Sequence, residues 1–421
     1  MQYHTEPEQR LPIARNKDVI IVGGGPAGLA AAIAAARNGA STSLIERFGY
    51  LGGTATASLM ACINGFRNQV EPDFTQTVRG IAEEIVLRLK QIDGLGRSPY
   101  PQKAYPTEPG AMEYSYAIDT EKFKYITMKM CDEAGVDLML HNWFAASIVE
   151  DDTIRGIIVE NKSGRQALMA KVIIDASGDG DVAARAGVPF WQTRKDEAPR
   201  LNDAMMYRIA FGRTRPQKVH GCDFGDNAVI WGPSPGPMDG TDADQLSAGE
   251  VAARLRLFED LEQKKQKHPE LADARVVESP PLLGIRQTRF IEGEYRLTAE
   301  DALDGRRFED VVAISSCAII HYYGYRRYLE HEGYDIPYRC LVPRRIDNLL
   351  IAGRCICSDQ QPFESHRAMV NIMAIGQAAG TAAALCCRTA TTPRRLDVPL
   401  LQQTLESQGA QLRIGGAKTS S

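Results

Sequence analysis

A short apolar, β-branched run at residues 18–22 passes without a spacer into Gly23, Gly25 and Gly28, and then into an alanine-rich stretch ending at Arg37. That order reads as strand, tight turn, helix. The G-x-G-x-x-G spacing gives each glycine a mechanical task. The first permits the turn, the second lets backbone approach a pyrophosphate, and the third lets helix and strand pack closely. The helix start then offers N–H groups to phosphate. A second apolar run at 41–45 ends at Glu46, eighteen residues after Gly28, where a carboxylate can take ribose hydroxyls. The unit is a βαβ motif, and it predicts a parallel sheet carrying a dinucleotide.

Composition narrows the rest. Over 421 residues, 44% hydrophobic and 24% charged content suits a large packed core, which excludes disorder as the chain's main character. A net charge of -4 supplies no general basic field for nucleic acid. Nine cysteines, an odd number scattered along the chain, fit a reducing compartment, so the expected location is cytoplasmic. The N-terminal segment is polar and mixed in charge, unlike a signal or transit peptide. Absence of a continuous apolar run of eighteen residues or more leaves no membrane span expected.

Helical spacing recurs at 120–134, and 143–174 reads as a meander of short strands. From about 190 to 338, charged and Pro/Gly-rich stretches surround a helix at 248–267, as in an inserted second domain. A buried strand returns at 345–352, followed by a small-residue helix at 367–387. The expected division is a polar tail at 1–16, a discontinuous nucleotide-binding domain at 17–190 and 341–390, a substrate or lid domain at 191–340, and a C-terminal extension at 391–421.

Three segments together carry a resemblance: DVIIVGGGPAGLAAAIAAARNGASTSLIERFGYLGGTATAS, VIIDASGDGDVAARAG, and NLLIAGRCICSD with HRAMVNIMAIGQAAGTAAAL. From about residue 17 to 405 the chain resembles FAD-dependent oxidoreductases of the glutathione-reductase-like superfold. More narrowly it is similar to a bacterial family whose members carry GEYRLT, YDIPYRCLVP and AGRCIS-type segments. The resemblance implies an α/β fold: a Rossmann-like FAD-binding domain with parallel sheet and β-meander, plus an inserted α+β substrate domain. It implies that Gly23, Gly25, Pro26, Ala27 and Gly28 hold the pyrophosphate, Glu46 the adenosine ribose, and Arg47 the adenine side. Gly52, Gly53 and Thr54 would pass under ribityl and flavin, and Ala146 would meet the adenine through its backbone. Ala176, Ser177 and Gly178 would close the adenosine side, and Gly353 and Arg354 would meet pyrophosphate and ribityl. Asn371, Ile372 and Met373 would start a helix facing the flavin's pyrimidine edge, where a helix N-terminus stabilises the negative charge of reduced flavin.

Departures from relatives matter as much. Disulfide reductases of this superfold carry cysteines where Ala55 and Leu59 stand, which excludes their mechanism at that site. With no second G-x-G-x-x-G unit downstream, electrons are expected from the substrate, from transiently bound NAD(P)H or from a partner protein. No metal-ligand spacing occurs among the cysteines. Cys62, just after the flavin-side glycines, reads as packing or as a redox thiol.

His366, ahead of the flavin-edge helix, is the first choice for proton transfer. His321, beside Tyr322 and near Arg326 and Arg327, is the competing site, and each histidine also has a structural reading. Arg286 and Arg289 read either as a bidentate clamp for a substrate carboxylate or as a domain-junction ion pair with Glu292 or Glu294. The leading function is hydride transfer between a small organic substrate and non-covalent FAD. A flavin monooxygenase or halogenase is the second class. Against it, no tryptophan-rich motif surrounds Trp143, Trp191 or Trp231, and Gly353-Arg354 stands in place of the usual Gly-Asp. A non-catalytic flavoprotein is the third.

Overall fold

β1 (Ile13–Val22) runs through the middle of a seven-stranded sheet, parallel to β2 (Thr42–Ile45) on one side and to Gly164–Asp175 on the other. The structure, a computed structural model, describes residues 3–72, 74–100, 112–192, 201, 203–213, 215–217, 219–320 and 326–414. β1 is longer than the apolar run alone indicates: Ile13, Arg15, Asn16 and Lys17 pair with residues 167–170. Part of the expected polar tail is therefore sheet, because a ladder neighbour satisfies its backbone irrespective of side-chain polarity.

Strand Gly164–Asp175 serves two partners on its far side. Its first half pairs antiparallel with Thr153–Asn161, which pairs in turn with Trp143–Glu150, giving the expected meander. Its second half pairs parallel with Leu349–Ile351, so the chain returns to the sheet as expected. Asp137–Met139 closes the opposite edge beside β2.

α1 (Pro26–Arg37) packs directly against the helix Met369–Thr389. A Cβ added at Gly376 or Gly380 would come within 2.1 Å of the carbonyl oxygens of Ala27 and Ala31 respectively. Glycine four residues apart is thus what lets these backbones touch. Met369–Thr389 is long and apolar enough to cross a membrane, yet 89% of its apolar window is buried inside the fold, as for a core helix.

The insertion is smaller than expected. A separate core of Met205, Tyr207, Ile209, Ala228, Ala253, Leu257 and their neighbours is bounded by an antiparallel sheet and the helix Ala243–Lys267. In that sheet Gly221–Asp223, Asn227–Ile230, Tyr207–Ala210 and Arg275–Glu278 lie in this order. The helix begins earlier than expected because Asp242 caps it, accepting the Gln245 N–H. Its buried residues, Gly249, Ala253, Leu257 and Leu261, form one stripe, which leaves Lys264 and Lys265 to pair with Asp260 and Glu262 along the outside. Ile291, Val312, Ile314, Tyr334 and Ile336 belong instead to the main core. The expected 191–340 domain therefore divides between two cores.

Candidate active site

A cavity of about 780 Å³ opens where the parallel strands end. The residues just beyond the C-terminal ends of β1, β2, Gly164–Asp175 and Leu349–Ile351 all line it: Gly23 and Gly25, Glu46 and Arg47, Ala176 to Gly178, and Gly353 with Arg354. Open α/β sheets bind ligands at this edge. The facing wall comes from the insertion, including Ala204, Met206, Trp231 and Leu282 to Arg286.

The glycine turn has the geometry of a phosphate cradle. Gly23 adopts φ +104°, and a Cβ there would sit 2.5 Å from the Ala176 oxygen. A Cβ at Gly28 would lie 1.8 Å from the Gly23 oxygen, so this glycine secures helix packing and faces no ligand. Gly25 differs: its backbone is extended, and the nearest atom to an added Cβ is Gly53 Cα at 3.7 Å. Only open cavity constrains it. No side chain caps α1, which leaves the N–H groups of its first turn for an anion.

Glu46 is tied on both oxygens. Oε2 accepts the Gly24 N–H at 2.7 Å and Oε1 accepts the Phe48 N–H at 3.0 Å. The carboxylate is thereby aimed into the cavity with lone pairs left for ribose hydroxyls. Arg47 lies over the rings of Phe48 and Trp143, with its guanidinium carbon 5.1 and 5.3 Å from their centroids.

A second anchor was not apparent from sequence. Asp175, fully buried at the end of its strand, accepts hydrogen bonds from the Ser177 N–H and hydroxyl and from the Ala183 N–H. Burial nonetheless outweighs these bonds and pushes its pKa up to about 6. Asp179 Oδ1 accepts from Arg354 Nη2 at 2.5 Å and from the Thr288 hydroxyl at 2.8 Å. Burial opposes the charge on Arg354, and Asp179 more than restores it, so its pKa is raised. Arg289 donates to Asp181 at 2.8 Å and to the Asp179 carbonyl. The junction role thus belongs to Arg289, through Asp181 rather than Glu292 or Glu294, while Arg286 lines the cavity.

Other expected positions move. Gly53 and Thr54 line the cavity, while Gly52 lies behind them with its N–H donated to the Gly24 carbonyl. Ala146 is in the meander ladder, and Asn142, Trp143 and Phe144 take the cavity position instead. A bulge between Phe144 and Ala146 shifts the register there. The helix expected to begin at Asn371 begins at Met369, so Ala368, Met369 and Ile372 face the cavity. Asn371 instead donates to the Ser315 hydroxyl at 2.7 Å, and Met373 is core.

His366 does not line the cavity. It ends the short helix Gln360–His366, fully buried, with Nε2 3.0 Å from the Ser358 hydroxyl. Desolvation pushes its pKa down to about 3, which leaves a neutral ring at neutral pH, off the cavity lining. The expectation of proton transfer at His366 is corrected on that ground. His321 and Tyr322 lie outside the described residues.

From sequence, Glu364 reads only as a group that orients His366 and Tyr100 is not singled out, yet both line the cavity with Cys62, Arg326 and Arg367. Glu364 Oε1 accepts from Gln360 Nε2 at 3.1 Å. Cys62 Sγ lies 3.3 Å from the Ser115 hydroxyl and 3.4 Å from that of Ser98. Burial opposes its ionisation, but hydrogen bonds from Cys222, Ser115 and Ser98, with Arg326 nearby, hold its pKa below the ordinary thiol value.

With this geometry in view, the comparisons are decisive for family. Residues 18–214 and 197–405 match the family described as FAD dependent oxidoreductase, which is most of the chain. The chain belongs to that family. It is an FAD-dependent oxidoreductase, and the glycine turn, the Glu46 carboxylate and the uncapped helix start fit that cofactor. Digeranylgeranylglycerophospholipid reductases from Methanoculleus marisnigri and Methanocaldococcus jannaschii are each 30% identical to it, over 176 and 174 residues. Both matches cover 41% of this chain, and 42% and 40% of those reductases, so the chain spans about two fifths of the curated relatives' length. A solved geranylgeranyl bacteriochlorophyll reductase-like protein from Thermoplasma acidophilum is 16% identical at TM-score 0.46, covering 93% of this chain and 83% of that one.

Proposed function

We propose that this FAD-dependent oxidoreductase moves a hydride between non-covalent FAD and a small organic substrate seated under the insertion. The carrying observation is that one cavity runs from the glycine turn to the insertion wall at Met206, Trp231 and Arg286. Ligand sites favour such junctions. Bound FAD supplies the electron-pair chemistry, and the chain's residues bind, orient and protonate. With FAD bound, the chain's own part would be to hold the substrate against it and to take up, or supply, the proton that accompanies the electron pair. We assign that proton to Glu364, which lines the cavity one helical turn from Arg367, in place of His366.

Further parts of this reading rest on single observations. A glutathione-reductase-like arrangement is supported by the meander grafted on the parallel sheet. A cytoplasmic location is supported by nine cysteines, none in a disulfide. The relatives' named lipid is not carried over, because those matches cover only 41% of this chain. Electrons from transient NAD(P)H or a partner protein complete the cycle.

The test is anaerobic: metabolites and NAD(P)H are screened for loss of flavin absorbance. Bleaching by an organic substrate or NAD(P)H supports the reading. Oxygen consumption with NAD(P)H leading to an oxygenated or halogenated product would replace it with a monooxygenase or halogenase. Full FAD occupancy with no bleaching by any compound would indicate a non-catalytic flavoprotein.

A further inference from the structure

We propose, resting on the hydride-transfer reading above, that Arg286, Arg326 and Arg367 form a carboxylate clamp and that the substrate is an organic acid with an aromatic or alkyl body. The three side chains come from separate parts of the chain and line one cavity, where Arg286 acts on Arg367 and all three act around Tyr100. Among the described residues, none of their guanidinium groups forms an ion pair with a carboxylate. Arg354 in the same cavity contrasts with this, being neutralised by Asp179 at 2.5 Å. The Asp203 carboxylate accepts the main-chain N–H of Arg286 at 2.8 Å, and its charge, with that of Tyr100, partly offsets the cost of burying the Arg286 guanidinium.

Gathering like charges in a half-buried space is unfavourable unless an anion arrives to share them. The cost is visible at Arg367, whose pKa is pushed down to about 9 first by burial and then by the charge of Arg286. Burial lowers that of Arg286 too. Arg367 remains protonated at neutral pH, with Glu364 the nearby carboxylate that offsets part of the cavity's positive charge. The Nε of Arg367 is buried with no hydrogen-bond acceptor among the described residues, a donor that a planar carboxylate could take.

The substrate's body is indicated by what surrounds the clamp. Tyr100 and Trp231 meet edge to face at 6.2 Å, and Arg326 lies 3.8 Å above the Tyr100 ring centroid. Met206 completes an apolar wall. A charged head with an apolar body matches both surfaces.

The experiment titrates the FAD-loaded protein with acetate, phenylacetate and cinnamate, and with the corresponding uncharged amides, following the flavin absorbance spectrum. The expected result is a saturable perturbation by at least one of the larger acids, with affinity about tenfold or more above its amide. Arg286→Gln, Arg326→Gln and Arg367→Gln should each keep FAD and weaken that acid by about tenfold or more, the scale of one charged hydrogen bond. Spectra blind to every acid, equal binding of acid and amide, or variants that bind the acid like the unmutated protein would overturn the clamp. The acid-to-amide comparison needs no variant, so it stands even where a substitution prevents folding. FAD content and anaerobic bleaching on the same samples separate the two failures. A flavin bleached by neutral compounds, without preference for acids, rejects the clamp alone; a protein without FAD, or whose flavin no compound bleaches, rejects the hydride-transfer reading.

Discussion

Replacing His366 by glutamine should leave flavin reduction intact and alter how stability depends on pH. The imidazole is fully buried against Ser358, and desolvation pushes its pKa from 6.5 down to about 3. As pH falls, the folded ring stays neutral while the unfolded chain takes up a proton. The unfolded state therefore binds more protons, and stability is lost as pH drops from about 6.5 towards 3, at about 1.4 kcal/mol per pH unit. Between about pH 7.5 and 4.5, this one group accounts for a loss of about 3 kcal/mol. Glutamine does not titrate, so whatever fixed cost the substitution carries at neutral pH, the variant should gain about 3 kcal/mol on the unmutated protein by about pH 4.5. Urea unfolding of both proteins at both pH values reads this directly. Identical pH slopes would refute the buried neutral ring, and flavin reduction slowed by about a hundredfold would return His366 to proton transfer.

Glu46→Ala should weaken FAD binding by about 1 to 3 kcal/mol, the range for losing a charged hydrogen-bond partner, and it also strands the Gly24 N–H. An unchanged FAD dissociation constant would remove Glu46 from the ribose role. Glu364→Gln should retain FAD and slow anaerobic flavin reduction by about a hundredfold, as for loss of a general acid or base; stopped-flow bleaching at an undiminished rate would place the proton elsewhere. Gly28→Ala should prevent folding, because its Cβ would fall 1.8 Å from the Gly23 oxygen, and circular dichroism of a well-folded variant would contradict that packing.

The βαβ unit was legible because its signals are local: glycine spacing, helical periodicity and the position of Glu46 all lie within one short stretch. The insertion boundary was not, since an apolar run such as Val311–Ser315 reads alike whichever core receives it. His366 was misplaced for a related reason. Distance along the chain put it close to the cavity, but successive residues on a helix point about 100° apart. Glu364 and Arg367, three residues apart, share the cavity face, and His366 between them turns to Ser358. Arg326 and Arg367 were visible as residues, while their convergence with Arg286 depends on long-range packing that no local pattern encodes.

The most direct test of the account is FAD binding by Gly25→Ala. Its extended backbone suits any residue, and an added Cβ would make only an ordinary 3.7 Å contact with Gly53, so the variant should fold with stability within about 1 kcal/mol of the unmutated apoprotein. That methyl group would nevertheless occupy the space assigned to the pyrophosphate. The unmutated protein should bind FAD and release it unmodified on denaturation, whereas Gly25→Ala should bind it at least about tenfold more weakly, a loss of about 1.4 kcal/mol. Equal FAD affinity in a folded Gly25→Ala variant would contradict the placement of the cofactor on this turn, and an unmutated protein that takes up no FAD on reconstitution would contradict the account as a whole.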